Sequence, residues 1–262
     1  MASSLTDLAC AVLATPAPDG KVSATAAAAA AWRRGQCAGV GRCRPPDRPA
    51  RAARPELRPP REMPRRGTGT RHGRIALLHA LAHIELNAID LAWDLIARFA
   101  GDGWPPAFFD DWVEVAADEA RHFSLLRRRL NALEADYGSL PAHDGLWLAA
   151  LQTREDPLAR LAVVPMALEA RGLDVTPATI AGLQRAGDEA SAAILDIIYR
   201  DEIGHVDAGR RWFEHLCERR GLDSRTTWRG LLERHAKGLV KPPFNDPARA
   251  AAGLDRGYYA SA

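Results

Sequence analysis

The chain reads as all-α: an antiparallel four-helix bundle preceded by an N-terminal helical segment and a proline-rich arm, and followed by a tail. Three observations predict this. Apolar residues recur at spacings of three and four over long stretches rich in alanine, leucine and arginine. Glycine and proline collect near the ends and in a few stretches between the periodic segments. Two Asp-Glu-x-x-His sequences, Asp118 to His122 and Asp201 to His205, each follow a single Glu set among apolar residues, Glu85 and Glu169. Bundles use that order to turn four carboxylates and two imidazoles inward from four helices.

Residues 1–70 form the N-terminal helical segment and arm. One or two helices are expected over 4–34, ending in the alanine run 26–31 and Trp32-Arg33-Arg34. Prolines from Pro45 to Pro64 then fix φ and disfavour helix in the residues before them, so 35–70 should be extended, either strapped along the body or loose. The bundle occupies 71–220. Its first helix should run from Arg71 to Phe99 with Ile75, Leu78, Ala82, Glu85, Ile89, Ala92 and Ile96 on one stripe, stopped by Gly101-Asp102-Gly103. The second should cover 107–137 with Glu119 and His122 inward, and stop at Gly138. After a short helix over 144–153, Asp156-Pro157 is a cap followed by proline at the first helical position. That third helix should bend at Pro165 and close at Gly172, and Thr176-Pro177 should open a separate segment to about Ala186. The fourth should span 188–220 with Glu202 and His205 inward. Residues 221–262 should hold a further short helix and a tail with Pro242-Pro243-Phe244-Asn245 packed back on the bundle.

The net charge of +2 hides an asymmetry: residues 33–74 carry 13 arginines against Asp47, Glu56 and Glu62, making this stretch +10 and the remainder −8. Such basicity suits an arm lying across an acidic body, or an anionic partner such as RNA. No aromatic residues are interleaved for base stacking. Cys10, Cys37, Cys43 and Cys217 form no CxxC pair and no regular framework, so ordinary reduced thiols in a cytoplasmic protein are expected. No uninterrupted apolar run reaches the roughly 18 to 20 residues that span a bilayer, and the start lacks a basic segment followed by an apolar one.

A Glu and a His three apart share a helical face. Each Glu-x-x-His can therefore clamp one metal, the pair's Glu bridging and the single Glu of a neighbouring helix closing the terminal position. Four carboxylates and two divalent ions are near neutral together, whereas four buried carboxylates alone cost several kcal/mol. Oxygen-rich coordination with imidazole suits iron, manganese or a mixed pair better than a soft metal. A reduced iron pair can react with O₂ to hydroxylate or desaturate a substrate, or oxidise further iron. Asp118 and Asp201 can accept from the outer N–H of the opposite imidazole. Leu81, Ala116 and Ile198 can line an oxygen pocket.

His79 and His83 are candidates for a second metal pair, for substrate contact, or for hydrogen-bonded packing. Arg171 can hold a carboxylate or phosphate near the entrance, or make a structural ion pair. Tyr199 can be a redox or hydrogen-bonding neighbour, or packing.

The ligand order resembles the ferritin-like di-iron superfamily. More narrowly, residues Leu78 to Ala92, Glu169 to Asp174, Asp201 to Val206 and Pro243-Phe244-Asn245 resemble the uncharacterised bacterial family numbered 455 among domains of unknown function, over about residues 45–255. The resemblance implies a ferritin-like core with Glu85, Glu119, His122, Glu169, Glu202 and His205 as metal ligands. The similarity of that family to tRNA-modifying di-iron hydroxylases makes a modified nucleoside conceivable as substrate. The functional expectation is an O₂-dependent hydroxylase with two irons, acting on a small molecule or nucleoside and served by an electron-donor protein. Ferroxidase or peroxide-detoxifying activity, and a metal-stabilised structural role, are the alternatives.

Overall fold

The computed structural model describes residues 2–260, so Met1, Ser261 and Ala262, at the outer ends of the arm and tail segments, lie outside the described residues. These residues are all-helical, with no strand and one isolated parallel bridge, Leu57 to Ala142. The chain divides into two compact units, residues 1–147 and 148–262.

In the first unit, α1 (Leu5–Leu13) starts at a capping box in which Ser4 and Asp7 satisfy each other's backbone N–H groups. α2 (Pro18–Arg33) opens with proline at a position that needs no N–H donor. α3 (Arg71–Phe99) begins where the Thr70 hydroxyl accepts from Gly73 N–H at 3.0 Å. It has the expected bounds. By length and composition it could cross a bilayer, although no uninterrupted apolar run does; 72% of that stretch is buried inside the protein. α4 (Pro106–Ala132) packs along it, and α1 and α2 pack on α3 and α4 respectively. Trp93, Phe108 and Phe123 are fully buried here, each contributing about 1.5–3 kcal/mol by leaving water.

α4 stops five residues before the expected end. The Leu133 N–H closes onto Arg129 and Leu130, and Glu134 turns left-handed at φ 56°. The left-handed residue is thus a Glu, and the chain then brings Tyr137 against α3.

The arm contains one 3-10 turn, Pro60–Glu62, and is a strap. Arg48 pairs with Asp144, and Arg51 with Asp90 at 2.7 Å. Around the bridge, Arg58 N–H donates to Ala142 O and Ala142 N–H to Glu56 O. The expectation of four ordinary thiols is corrected: Cys10 and Cys43 form a disulfide, while Cys37 and Cys217 are free. Backbone hydrogen bonds from Leu5 and Thr6 to Gly39 and Val40 bring the loop to α1, a juxtaposition that a separation of 33 residues does not announce.

α5 (Gly145–Gln152) runs across the division of the chain. In the second unit, α6 (Pro157–Val163) has the expected Asp156 cap. A π-helical turn comes next over Val164–Glu169, containing Pro165, and leads directly into α7 (Ala170–Arg185). The expected breaks at Gly172 and Thr176-Pro177 are therefore absent. Pro177 cannot donate to the carbonyl of Leu173, but that oxygen accepts from Asn245 Nδ2 at 3.0 Å instead, so the tail supplies the missing donor. α8 (Glu189–Arg219) starts at the Asp188 cap and packs on α7, α6 and the π turn. Gly209 makes that last approach feasible, since a Cβ there would lie 2.4 Å from Pro165. The tail folds as α9 (Ser224–His235), α10 (Asp246–Ala251) and α11 (Arg256–Tyr259), where one further helix was expected.

Candidate metal centre

In the first unit, α3 carries Glu85 on its buried stripe and α4 presents Glu119 and His122 one helical turn apart. The three side chains converge. His122 Nδ1 lies 3.2 Å from Glu85 Oε2 and 3.6 Å from Glu119 Oε2. Each residue offers a ligand atom within 4.8 Å of the others, a cluster that could hold a metal ion. All are withdrawn from water, His122 completely.

The electrostatics derive from that burial. Desolvation, then the neighbouring charge of Glu119, pushes the Glu85 carboxyl well above its ordinary range. Burial alone would depress His122, but hydrogen bonding and charge from Glu119 and Glu85 outweigh it and push the imidazole up to about 11. Two carboxylates at this depth thus draw positive charge to themselves, as a proton or as a cation.

In the second unit, α8 brings His205 Nδ1 to 3.6 Å from Glu202 Oε2. His205 is buried and Glu202 half-buried. Glu169, also half-buried, is the last residue of the π turn. Such turns add a residue to the helical repeat and rotate the downstream helix about its axis, and they recur at functional sites.

The other candidates have defined positions. Asp118, half-buried, accepts from Arg121 at 2.9 Å, and Asp201 is half-buried on α8. His79 Nε2 accepts from Gly138 N–H at 2.9 Å. His83 bonds Tyr137 Oη through Nδ1 at 2.7 Å and the His143 carbonyl through Nε2 at 3.2 Å. Both rings stack on Tyr137. Burial pulls His79 down to about 4 and, with the charge of Arg51, His83 to about 3. The Arg171 guanidinium donates to the carbonyls of Lys241 and Pro243, each at 2.9 Å. Tyr199 Oη accepts from Asn245 Nδ2 at 2.9 Å. Ala116 and Ile198 are buried and Leu81 half-buried.

The family described as protein of unknown function (DUF455) matches residues 14–260. The chain belongs to that family. An uncharacterized protein of Haemophilus influenzae is 43% identical to this DUF455 member over 208 residues, covering 77% of this chain and 72% of the relative. No solved structure matches it.

Two residues escaped the reading of spacing. Asp90 and Asp174 are both fully buried, and each lies five positions after one of the single glutamates. The repeated Glu-x-x-x-x-Asp was the available signal.

Proposed function

We propose that the protein is an O₂-dependent oxidoreductase of the ferritin-like type, a hydroxylase by preference, with a two-iron centre. The buried convergence of Glu85, Glu119 and His122 carries this reading. Glu169, Glu202 and His205 complete the ligand set, and the second Glu-x-x-His supports this as the equivalent half. This reading takes α3, α4, α8 and the helical run Pro157–Arg185 as the elements that carry the six ligands. The donors fit the group: carboxylates with imidazole suit iron, and manganese or a mixed pair would be held by the same atoms.

When bound, such a metal pair supplies the electrons that reduce O₂ for hydroxylation of an organic substrate. The chain's own residues prepare for it. Glu85 and Glu119 compensate cationic charge, and the raised affinity of Glu85 and His122 for protons means that both must release them on loading. Buried Ala116 and Val115 keep water from the α4 face of the ligands. A small molecule or modified nucleoside is the substrate class, with reducing equivalents from a donor protein.

The test is metal content of protein purified without added metal, combined with O₂ uptake and optical spectra of the reduced protein. About two irons per chain, with a transient O₂-dependent absorption, is the expected result. Stable zinc at full occupancy, with no response to O₂ after reconstitution with iron, would sink the reading. O₂ uptake that depends only on added ferrous iron would assign the centre to iron oxidation instead.

A further inference from the structure

The first unit holds a small, partly open pocket that the proposed centre does not use. It lies between α3, the arm around Arg66 and the segment leading into α5. Its α3 wall is built from Ala76, His79, Ala80, His83 and Ile84. At about 100° per residue these positions centre roughly 180° around the helix from Glu85, so a ligand here cannot touch that carboxylate.

The lining is apolar apart from three imidazoles and one guanidinium, and it includes no carboxylate. His83 is spent, since it uses both ring nitrogens, and His79 turns its Nε2 to the backbone N–H of Gly138, which leaves its proton on Nδ1. His143 is different. Its Nδ1 accepts from Gly145 N–H at 3.2 Å, so the neutral ring carries its proton on Nε2 and has a donor to offer. Burial first, and then the charge of Arg66, lower its pKa and keep it neutral. Arg66 stands at the exposed mouth, where surrounding protein still desolvates its guanidinium enough to lower its pKa. Among the described residues it has no carboxylate partner, and the nearby Asp144 is taken by Arg48.

We propose that this cavity binds a small monocarboxylate carried on a short apolar chain. The carboxylate sits on the Arg66 guanidinium and the His143 Nε2–H, and the chain lies against Ala76, Ala80, Ile84 and Leu146. One cation and one neutral donor balance one negative charge. A dianion would leave excess charge against apolar walls. The site stands independently of the metal reading.

The experiment is calorimetric titration of the full chain with straight-chain carboxylates from acetate to octanoate, against alcohols and amines of the same lengths and inorganic phosphate. The shortest carboxylates of the series should bind and the alcohols and amines should not. Arg66→Gln should weaken binding by about tenfold or more, and Ala80→Phe should abolish it by filling the cavity, with unchanged thermal unfolding in both. Methyl chemical shifts of Ala76, Ala80 and Ile84 in the unmodified chain locate the ligand even if a variant fails to fold. The proposal is overturned if no carboxylate binds, if alcohols or phosphate bind equally well, if Arg66→Gln has no effect, or if those methyl groups do not respond.

Discussion

Each unit buries an aspartate five residues beyond its single glutamate, yet the two are neutralised differently. Asp90 on α3 meets two cations from separate segments, Lys21 of α2 and Arg51 of the arm. Arg51 also donates to Asn87 at 2.5 Å. Asp174 on α7 meets one buried guanidinium, Arg249 of α10, through two hydrogen bonds of 2.8 and 2.7 Å. The neighbouring rings of Phe244 and Tyr259, 4.7 Å apart, lie against that guanidinium at 5.1 and 4.6 Å. Asp174 further accepts from Asn245 N–H at 2.9 Å. In both places a buried charge ties a flanking segment to the helix that carries a candidate ligand. The first unit shares the task between two close cations, whereas the second concentrates it in one bidentate planar group set against two adjoining rings, with Arg171 adding a longer contact of 3.5 Å.

The largest effect should come from removing the concentrated cation. Arg249→Ala leaves Asp174 buried without its bidentate partner and should cost about 3–5 kcal/mol, read as a lower urea midpoint. A loss below about 1 kcal/mol would show that the guanidinium is not the tie.

Next comes pH in the first unit. His79 accepts a backbone N–H through Nε2, and burial lowers its pKa to about 4. The unfolded chain therefore binds a proton that the folded chain refuses. Stability from this group is present above about pH 6.5 and is lost as pH falls towards about 4, by up to about 3 kcal/mol. His79→Gln should flatten the pH dependence of unfolding across that window. An unchanged slope would place the pH sensitivity elsewhere.

Gly209→Ala should cost about 1–3 kcal/mol, because its Cβ would meet the rigid ring of Pro165 rather than a flexible side chain. Differential scanning calorimetry that finds an unaltered transition would deny this close approach. The smallest effect is expected for Lys21→Met, about 1 kcal/mol. Arg51 still faces Asp90, and burying the ammonium carries its own desolvation cost. If Lys21→Met proves as damaging as Arg249→Ala, the contrast between shared and concentrated neutralisation fails.

How much of this could be read beforehand depends on whether the deciding contact is local. The bounds of α3 came from one apolar stripe and the Gly101-Asp102-Gly103 stop, both local to the feature they determine, and the Thr70 cap stands at the start they imply. The Asp156 cap was legible for the same reason, as was the start of α8 near residue 188. The convergence of Glu85, Glu119 and His122 came from helical spacing on consecutive segments. Pro177 misled because its consequence is settled 68 positions later, by the Asn245 amide that takes the Leu173 carbonyl. Glu134 misled because a left-handed helix end was expected at a glycine. The Cys10–Cys43 disulfide and the ion pairs of the strap are likewise long-range, and composition alone could not choose a strap over a loose arm.

The π turn at Val164–Glu169 makes part of the second unit sensitive to counting rather than to chemistry. A wide turn holds about one residue more than an α-helical path of the same length. Deleting a single residue between 164 and 168 would let the helix close regularly while turning Pro157–Val163 by about 100° relative to Glu169. Every side chain would keep its identity, but Glu169 would face a different direction from the apolar stripe that precedes it. The extra residue therefore acts as a phase setting between a packing surface and a carboxylate, adjustable by insertion or deletion without altering either.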